Sequence, residues 1–105
     1  MPRKGKNYTD RLRGPSGECE LCARHKPLTE HHLIPRAVHR KSYFQKRFSK
    51  EDMTLRRISI CRDCHRGIHR LVPDEKELAR DFNTKELLLA DERIRRHVEW
   101  VAKQR

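Results

Sequence analysis

The sequence predicts a small α+β domain. Four cysteines cross-link this domain, and helices follow it toward the C-terminus. The chain has 105 residues, of which 34% are hydrophobic and 39% are charged, so we expect one domain with a thin core. A core of this size usually needs a cross-link, and four cysteines occur as two C-x2-C pairs. Short alternating stretches predict two strands, and capping residues in the last third of the chain predict helices.

The N-terminal segment is polar and basic and contains several glycines. It predicts a flexible basic arm, residues 1–17, that ends in a turn before the folded part. No stretch resembles a signal peptide, and none approaches the roughly 20 apolar residues that a membrane helix needs. We therefore expect a cytoplasmic protein without a membrane partner.

Two strands are predicted within the folded part, residues 18–72. The first covers residues 28–34 and ends at Pro35, which lacks an amide donor. Residues 36–52 then predict a long basic excursion with a short helix that Ser49 can cap. The second strand, residues 57–60, alternates polar and apolar side chains and leads directly into the second cysteine pair.

A helix is predicted to begin near Asp63 or Cys64 and to end before Pro73. On it His65 and His69 stand at i and i+4, the spacing by which two imidazoles reach one metal ion. Such a pair can also be two exposed histidines, but the adjoining cysteine pair fixes the start of the helix and favours a metal site. Three arginines form the neighbouring stripe, where they could hold phosphate or only solvate the helix: Arg62, Arg66 and Arg70.

Residues 73–105 predict a helical extension that packs on the same domain. Its first helix covers residues 73–82, Thr84 can cap a second, and Asp91 can cap a third. Apolar residues at helical spacing are more often core, and the alternative is a docking surface for a second copy or a partner protein. The residues concerned are Leu87, Leu88, Leu89, Ile94, Val98, Trp100 and Val101.

The cysteine pairs predict one structural zinc site. Zinc takes four ligands tetrahedrally, and each C-x2-C turn offers two thiolates. In a reducing cytosol such pairs bind metal more often than they form disulfides, although disulfides and a redox dithiol remain alternatives. Four thiolates leave no open position, so this zinc is not expected to be catalytic. The ligands are Cys19, Cys22, Cys61 and Cys64.

The charge of the chain favours a polyanionic partner. Lysine and arginine number 26 against 15 acidic residues, which gives a net charge of +11 that is spread along the chain. Neutralising phosphates releases condensed counterions, so nucleic acid is the expected partner, and an acidic membrane surface is only the second possibility that such a charge raises. The remaining alternative is a solvated surface with no partner.

Two adjacent histidines, His31 and His32, lie in the first predicted strand. Adjacent side chains of a strand point to opposite faces, so a regular backbone cannot aim both imidazoles at one ion. The two histidines would then have different roles, for example one as a metal ligand and the other as a general base. A neutral imidazole with a pKa near 6.5 can take a proton from water.

Taken together, EHHLIP at residues 30–35 and ISICRDCHRGIH at residues 58–69 resemble the HNH endonucleases. The resemblance spans Cys19 to His69, about half of the chain. It implies a treble-clef-like ββα-metal domain that hydrolyses phosphodiester bonds of DNA, most often double-stranded, to a 5′-phosphate and a 3′-hydroxyl.

Residue by residue, the resemblance makes His32 the general base and gives the catalytic ion to His31, His65 and His69. That ion would be Mg2+, Mn2+, Ni2+ or Zn2+, separate from the structural zinc. Six basic residues are expected to bind the nucleic-acid backbone. They are Arg36, Arg40, Lys41, Arg62, Arg66 and Arg70.

The family's middle asparagine has no counterpart here, because the stretch ahead of the second cysteine pair, residues 53–57, reads Met-Thr-Leu-Arg-Arg. The alternative function is therefore a zinc-binding module that binds DNA or RNA without cleaving it. The other histidines, His25, His39 and His97, are expected to be structural or exposed. If one of them has a functional role, it is expected to be His39, which lies in the basic excursion.

Overall fold

A computed structural model describes residues 15–104 and confirms the α+β class. Three antiparallel strands form one sheet in the order β1-β2-β3, with β2 in the centre. The strands are β1 (Ser16–Glu18), β2 (His25–His32) and β3 (Arg57–Cys61). Across β2 and β3, His31 pairs with Ile58 and His32 pairs with Arg57.

Residues 15–104 also contain six short α-helices and one 3-10 turn, Arg36–Val38, which follows β2. None of the helices among residues 15–104 has the length and apolar content to cross a membrane. The helices are α1 (Ser42–Gln45), α2 (Lys50–Leu55), α3 (Arg62–Leu71), α4 (Glu75–Asp81), α5 (Lys85–Ala90) and α6 (Glu92–Ala102).

The first predicted strand lies a few residues earlier than expected, at residues 25–32 rather than 28–34. It begins early because the first cysteine pair forms a turn that folds the chain back, so that Glu18 pairs with His25. The amide of Leu33 makes the last cross-strand hydrogen bond at this end, to the carbonyl of Arg56, and Pro35 then starts the 3-10 turn. Leu33 remains buried without being in the strand.

Part of the predicted N-terminal arm is ordered in the sheet. Ser16 and Gly17 belong to β1, where they pair with Pro27 and Lys26. The sequence Ser-Gly-Glu carries no apolar pattern, so its strand conformation depends on pairing with β2 rather than on local propensity. The rest of the predicted arm, residues 1–14, lies outside the described residues.

The predicted helix caps are confirmed. Ser49 Oγ accepts the amide of Asp52 at 2.9 Å, and Thr84 Oγ1 accepts the amide of Leu87 at 3.0 Å. Asp91 accepts two amides at the start of α6. The helix expected near Asp63 begins one residue earlier, at Arg62, and the helix expected from residue 73 begins at Glu75.

The core consists of two apolar clusters. The larger one joins the four cysteines to the sheet, α3 and the C-terminal helices. In it Leu88, Ile94, Val98 and Val101 are buried, whereas Leu87 and Trp100 remain exposed. The smaller cluster lies beneath the basic excursion and contains Ile34, Val38, Phe44, Met53 and Ala79.

Helices α3 and α6 approach closely where the fold has no room for a side chain. His97 of α6 donates its Nε2–H to the carbonyl of Asp63 at 3.0 Å. A Cβ atom on Gly67 would lie 2.1 Å from the same His97 nitrogen. The glycine therefore allows α6 to cover α3, and with it the second cysteine pair.

Gly67→Ala is expected to destabilise the fold by about 1–3 kcal/mol, because the new methyl group must displace the His97 ring and its hydrogen bond. Urea unfolding followed by circular dichroism measures this loss. In a His97→Ala background the space is free, and the same substitution should cost little, since alanine favours a helix over glycine. An equal cost in both backgrounds would contradict the steric explanation.

Candidate metal centres

The first candidate metal centre consists of the four cysteines. Their sulfur atoms all lie within 4.8 Å of one another and all four residues are buried. Cys19 and Cys22 come from the turn between β1 and β2, Cys61 ends β3, and Cys64 lies in the first turn of α3. The four are free thiols rather than disulfides, and they could hold a zinc ion.

Amides and one guanidinium surround these sulfurs. Cys19 Sγ accepts the amides of Leu21 and Cys22 at 3.4 Å and that of Cys61 at 3.3 Å. The largely buried Arg24 donates to Cys61 Sγ at 3.3 Å and to the Asp63 carboxylate at 3.0 Å. Donors of this kind partly offset the negative charge of thiolates.

The protonation of the cysteines indicates that a cation fits among them. The hydrogen bond with Cys64, supported by backbone amides, lowers the pKa of Cys19 to about 4. The same hydrogen bond, burial and the neighbouring sulfurs raise the pKa of Cys64. The protein alone therefore does not stabilise four thiolates at once, whereas a divalent ion bound by all four would do so.

The second candidate metal centre is a histidine triad formed by His31, His65 and His69. One ring nitrogen from each residue lies within 4.8 Å of the others. The ring centroids are 5.2 Å apart for His31 and His65, 5.3 Å for His31 and His69, and 5.0 Å for His65 and His69. The sheet supplies the first imidazole, and α3 supplies the other two from successive turns.

His31 is the buried member of the histidine triad. It has no exposed surface, and neither of its ring nitrogens has a hydrogen-bond partner among the described residues. Burial, then the charges of His65, His69 and His32, lower its pKa to about 3. A buried polar group without a partner is costly, and a metal ion is a partner that a neutral imidazole can satisfy.

Thr29 selects the tautomer of His65. The threonine hydroxyl donates to the carbonyl of Ile60 at 3.0 Å and lies 2.8 Å from His65 Nδ1. Because a carbonyl cannot donate and the hydroxyl has only one proton, His65 Nδ1–H must donate to Thr29. The free lone pair of His65 is then on Nε2.

The histidine triad fits a borderline divalent ion and leaves room for other ligands. Burial and the neighbouring charges of His69 and His32 lower the pKa of His65 to about 4, so that His31 and His65 are both neutral at pH 7. His69 is exposed at the outer edge. Neutral imidazoles suit zinc, nickel or iron, and three protein ligands leave coordination positions open.

His32 faces a different side of the strand from His31, as strand geometry predicts. It lines a cleft of about 1120 Å³ together with basic side chains. Burial and the charge of Arg57 lower its pKa, with Glu30 acting in the opposite direction. The charge of His32 in turn lowers the pKa values of His31 and His65, so it lies within electrostatic range of the histidine triad. The basic residues of this cleft are Arg36, His39, Arg40, Lys50 and Arg57.

The six predicted backbone-binding residues are exposed but do not share one site. Arg36 and Arg40 line the cleft of His32, and Lys41 lines a neighbouring cleft that contains His69. Arg62 and Arg66 line a third cleft beside the cysteines, where Arg66 pairs with Asp63 at 3.2 Å. Arg70 is exposed near the end of α3.

Sequence reasoning did not identify Arg24, Thr29 or Arg57 as parts of these sites. A signal existed for Thr29, because a residue two before His31 in a strand shares its face and therefore points toward α3. The spacing of residues in the sequence does not indicate that Arg24 contacts the cysteines. Of the other histidines, His25 is exposed, and His39 donates to the carbonyl of Ile34 at 2.7 Å.

Comparisons with known proteins do not identify a family for this chain. No family model matches the sequence, and no curated protein or solved structure matches it significantly.

Removing metal from the cysteine cluster with a strong chelator is expected to unfold the protein, because a structural zinc site contributes about 10 kcal/mol or more to folding. Circular dichroism and elemental analysis, before and after zinc is restored, measure the effect. His31→Ala, which leaves the cysteines intact, should retain this zinc, whereas Cys61→Ser should not. A protein that keeps its helical signal after losing all metal would contradict a structural role.

Proposed function

We propose that this chain is a metal-dependent nuclease of the HNH type, with DNA as the expected substrate. The observation that carries the proposal is His31, a fully buried imidazole that has no hydrogen-bond partner within residues 15–104 and that faces His65 and His69 across the sheet–helix junction. Such an arrangement is unfavourable in a purely structural core and favourable around a metal ion.

The chemistry follows from the residues that surround the histidine triad. When bound there, a divalent ion would stabilise the charge that develops on the phosphate and on the leaving oxygen. His32 takes a proton from the attacking water, which its neutral imidazole can do at pH 7. Its lowered pKa supports this role, since burial and Arg57 keep the ring unprotonated.

The cleft of His32 supports a nucleic-acid substrate. Four fully charged side chains line it, and no acidic residue of the described chain does. Cations of this kind bind phosphates without selecting a sequence, which suits a backbone that must be held for cleavage. The four are Arg36, Arg40, Lys50 and Arg57.

Arg57 offers a replacement for the family's absent asparagine. It pairs with His32 across β2 and β3, and its guanidinium forms an ion pair with Glu30 at 2.8 Å. The positive charge of Arg57 opposes protonation of the His32 imidazole, as burial does, whereas the charge of Glu30 favours it. We infer that Arg57, the last residue of the stretch in which the family's asparagine would lie, helps to keep the imidazole of His32 neutral.

The second candidate function is a zinc-stabilised module that binds nucleic acid without cleaving it, and the absent asparagine favours it. Metal content separates the two functions. The nuclease should bind one tight ion at the cysteines and a second, weaker ion at the histidine triad. A binding module should hold only the first, even when metal is saturating.

His32→Ala is expected to lower cleavage of supercoiled plasmid by about a hundredfold or more, since a general base contributes about 10²–10⁴-fold to a rate. The assay uses zinc-loaded protein with added Mg2+, Mn2+ or Ni2+, and gel electrophoresis measures nicked and linear products. The second metal should still bind to this variant, because His32 is not a ligand.

His31→Ala should lose both cleavage and the second metal, whereas His25→Ala, an exposed histidine of the same strand, should change neither. Equal cleavage by wild type and His32→Ala would indicate a contaminating nuclease and reject the base assignment. A single tight metal in wild type at saturation would favour the non-cleaving module.

Thr29→Val is expected to weaken the second metal by about 10–100-fold, as loss of an outer partner of a ligating histidine typically does. Valine preserves the shape of the side chain but cannot accept the His65 Nδ1–H, so the tautomer is no longer fixed. Isothermal titration of zinc-loaded protein with Ni2+ measures the affinity. Thr29→Ser keeps the hydroxyl and should bind as wild type does. Unchanged affinity in the valine variant would show that Thr29 does not position the ligand.

A further inference from the structure

Tyr43 is an exposed aromatic residue in the basic excursion between β2 and β3. It belongs to α1, and 42% of its surface is exposed. Its ring lines a cleft of about 320 Å³ that is separate from the cleft of His32. Neither the histidine triad nor the cysteine cluster accounts for this aromatic side chain.

Two contacts hold the ring of Tyr43 in place. The guanidinium carbon of Arg47 lies 3.6 Å from the ring centroid and covers one face, while the same side chain donates to the Tyr43 carbonyl at 2.8 Å. The ring of Phe44 meets it edge-on, with centroids 4.9 Å apart. Phe44 is itself buried in the smaller core cluster, so the ring of Tyr43 is held against the folded core.

The cleft of Tyr43 has a cationic rim. Lys41, Lys76 and Arg80 line it, and no acidic side chain of residues 15–104 does. Arg80 is paired with Asp81 outside the cleft at 2.9 Å, which leaves the two lysines as the main charges for an anion. An apolar ring between cations matches a nucleotide, whose base has a flat face and whose phosphates are negative.

The same two lysines connect this cleft to the histidine triad. Lys41 and Lys76 also line an adjoining cleft of about 520 Å³ that includes His69. Asp74 and Glu75 line the adjoining cleft as well, so a phosphate would be restricted to its lysine side. A strand that passes His69 can therefore follow the lysines to Tyr43.

We propose that Tyr43 stacks on an unpaired nucleobase while Lys41 and Lys76 bind the adjacent phosphates. This inference rests on the proposed nuclease function, and it specifies the substrate as a strand with an unpaired nucleotide near the cleavage site. In a continuous duplex both faces of each base are covered by its neighbours, so a stacking side chain selects single-stranded segments, flaps or ends.

The test measures binding by fluorescence anisotropy with protein that carries one equivalent of zinc for the cysteine cluster and no other divalent ion, so that cleavage does not interfere. The probes are a labelled oligothymidine and a labelled duplex of the same length. Tyr43→Ala should weaken binding of the single strand by about tenfold and leave duplex binding unchanged, because one base–aromatic stack is lost. Tyr43→Phe keeps the ring and should bind as wild type does.

Trp100→Ala is the matched control, because Trp100 is an exposed aromatic side chain, 58% accessible, outside the basic excursion. It should bind both probes as wild type does, and melting curves should show that all variants are folded. Unchanged single-strand binding by Tyr43→Ala, or equal weakening of both probes, would overturn the inference while leaving the nuclease proposal standing. If wild type binds neither probe, the nuclease proposal itself fails.

Discussion

The convergence of four cysteine sulfurs is the constraint on which the rest of the structure depends. Cys19 and Cys22 fix the turn that joins β1 to β2, whereas Cys61 and Cys64 fix the junction at which β3 becomes α3. With both ends held, β2 lies between its neighbours and α3 starts at a defined rotation. His65 and His69 therefore face the central strand, even though the apolar content of the chain is too low to impose this arrangement alone.

The histidine triad uses that rigidity to hold a group that would otherwise be unfavourable. A buried imidazole such as His31, without a hydrogen-bond partner, costs folding free energy, and a flexible fold would rearrange to expose it. Here β3 and α3 enclose it, and Thr29 sets the orientation of the facing ligand. The three imidazoles of the candidate centre are thus brought together by the fold itself, and such preorganisation favours tight coordination of an ion.

Sequence reasoning predicted the cysteine cluster, the pair of His65 and His69, and most helices because each has a local pattern: spacing, i to i+4 periodicity, or a capping residue. His31 was assigned to that pair only through the resemblance to a known family. It did not predict β1 or α1, because Ser-Gly-Glu and Ser-Tyr-Phe-Gln have no periodicity of their own and depend on tertiary packing. The division of the basic residues among separate clefts also escaped prediction. Which cleft a long side chain lines depends on how distant segments pack, as Arg57 and Arg62 illustrate.

The paired strands β2 and β3 enclose residues 33–56, which include the basic excursion, between two fixed ends. The residues of both candidate metal centres lie outside this enclosed segment, while Tyr43 and most of the cleft of His32 lie inside it. Exposed residues of this segment can therefore vary without altering the residues that could hold metal, whereas its buried members, such as Phe44 and Met53, are constrained by the core. The surface around the cleft of His32 and the residues that could hold metal are in this sense separately heritable, so that one could diversify among related chains while the other stays unchanged.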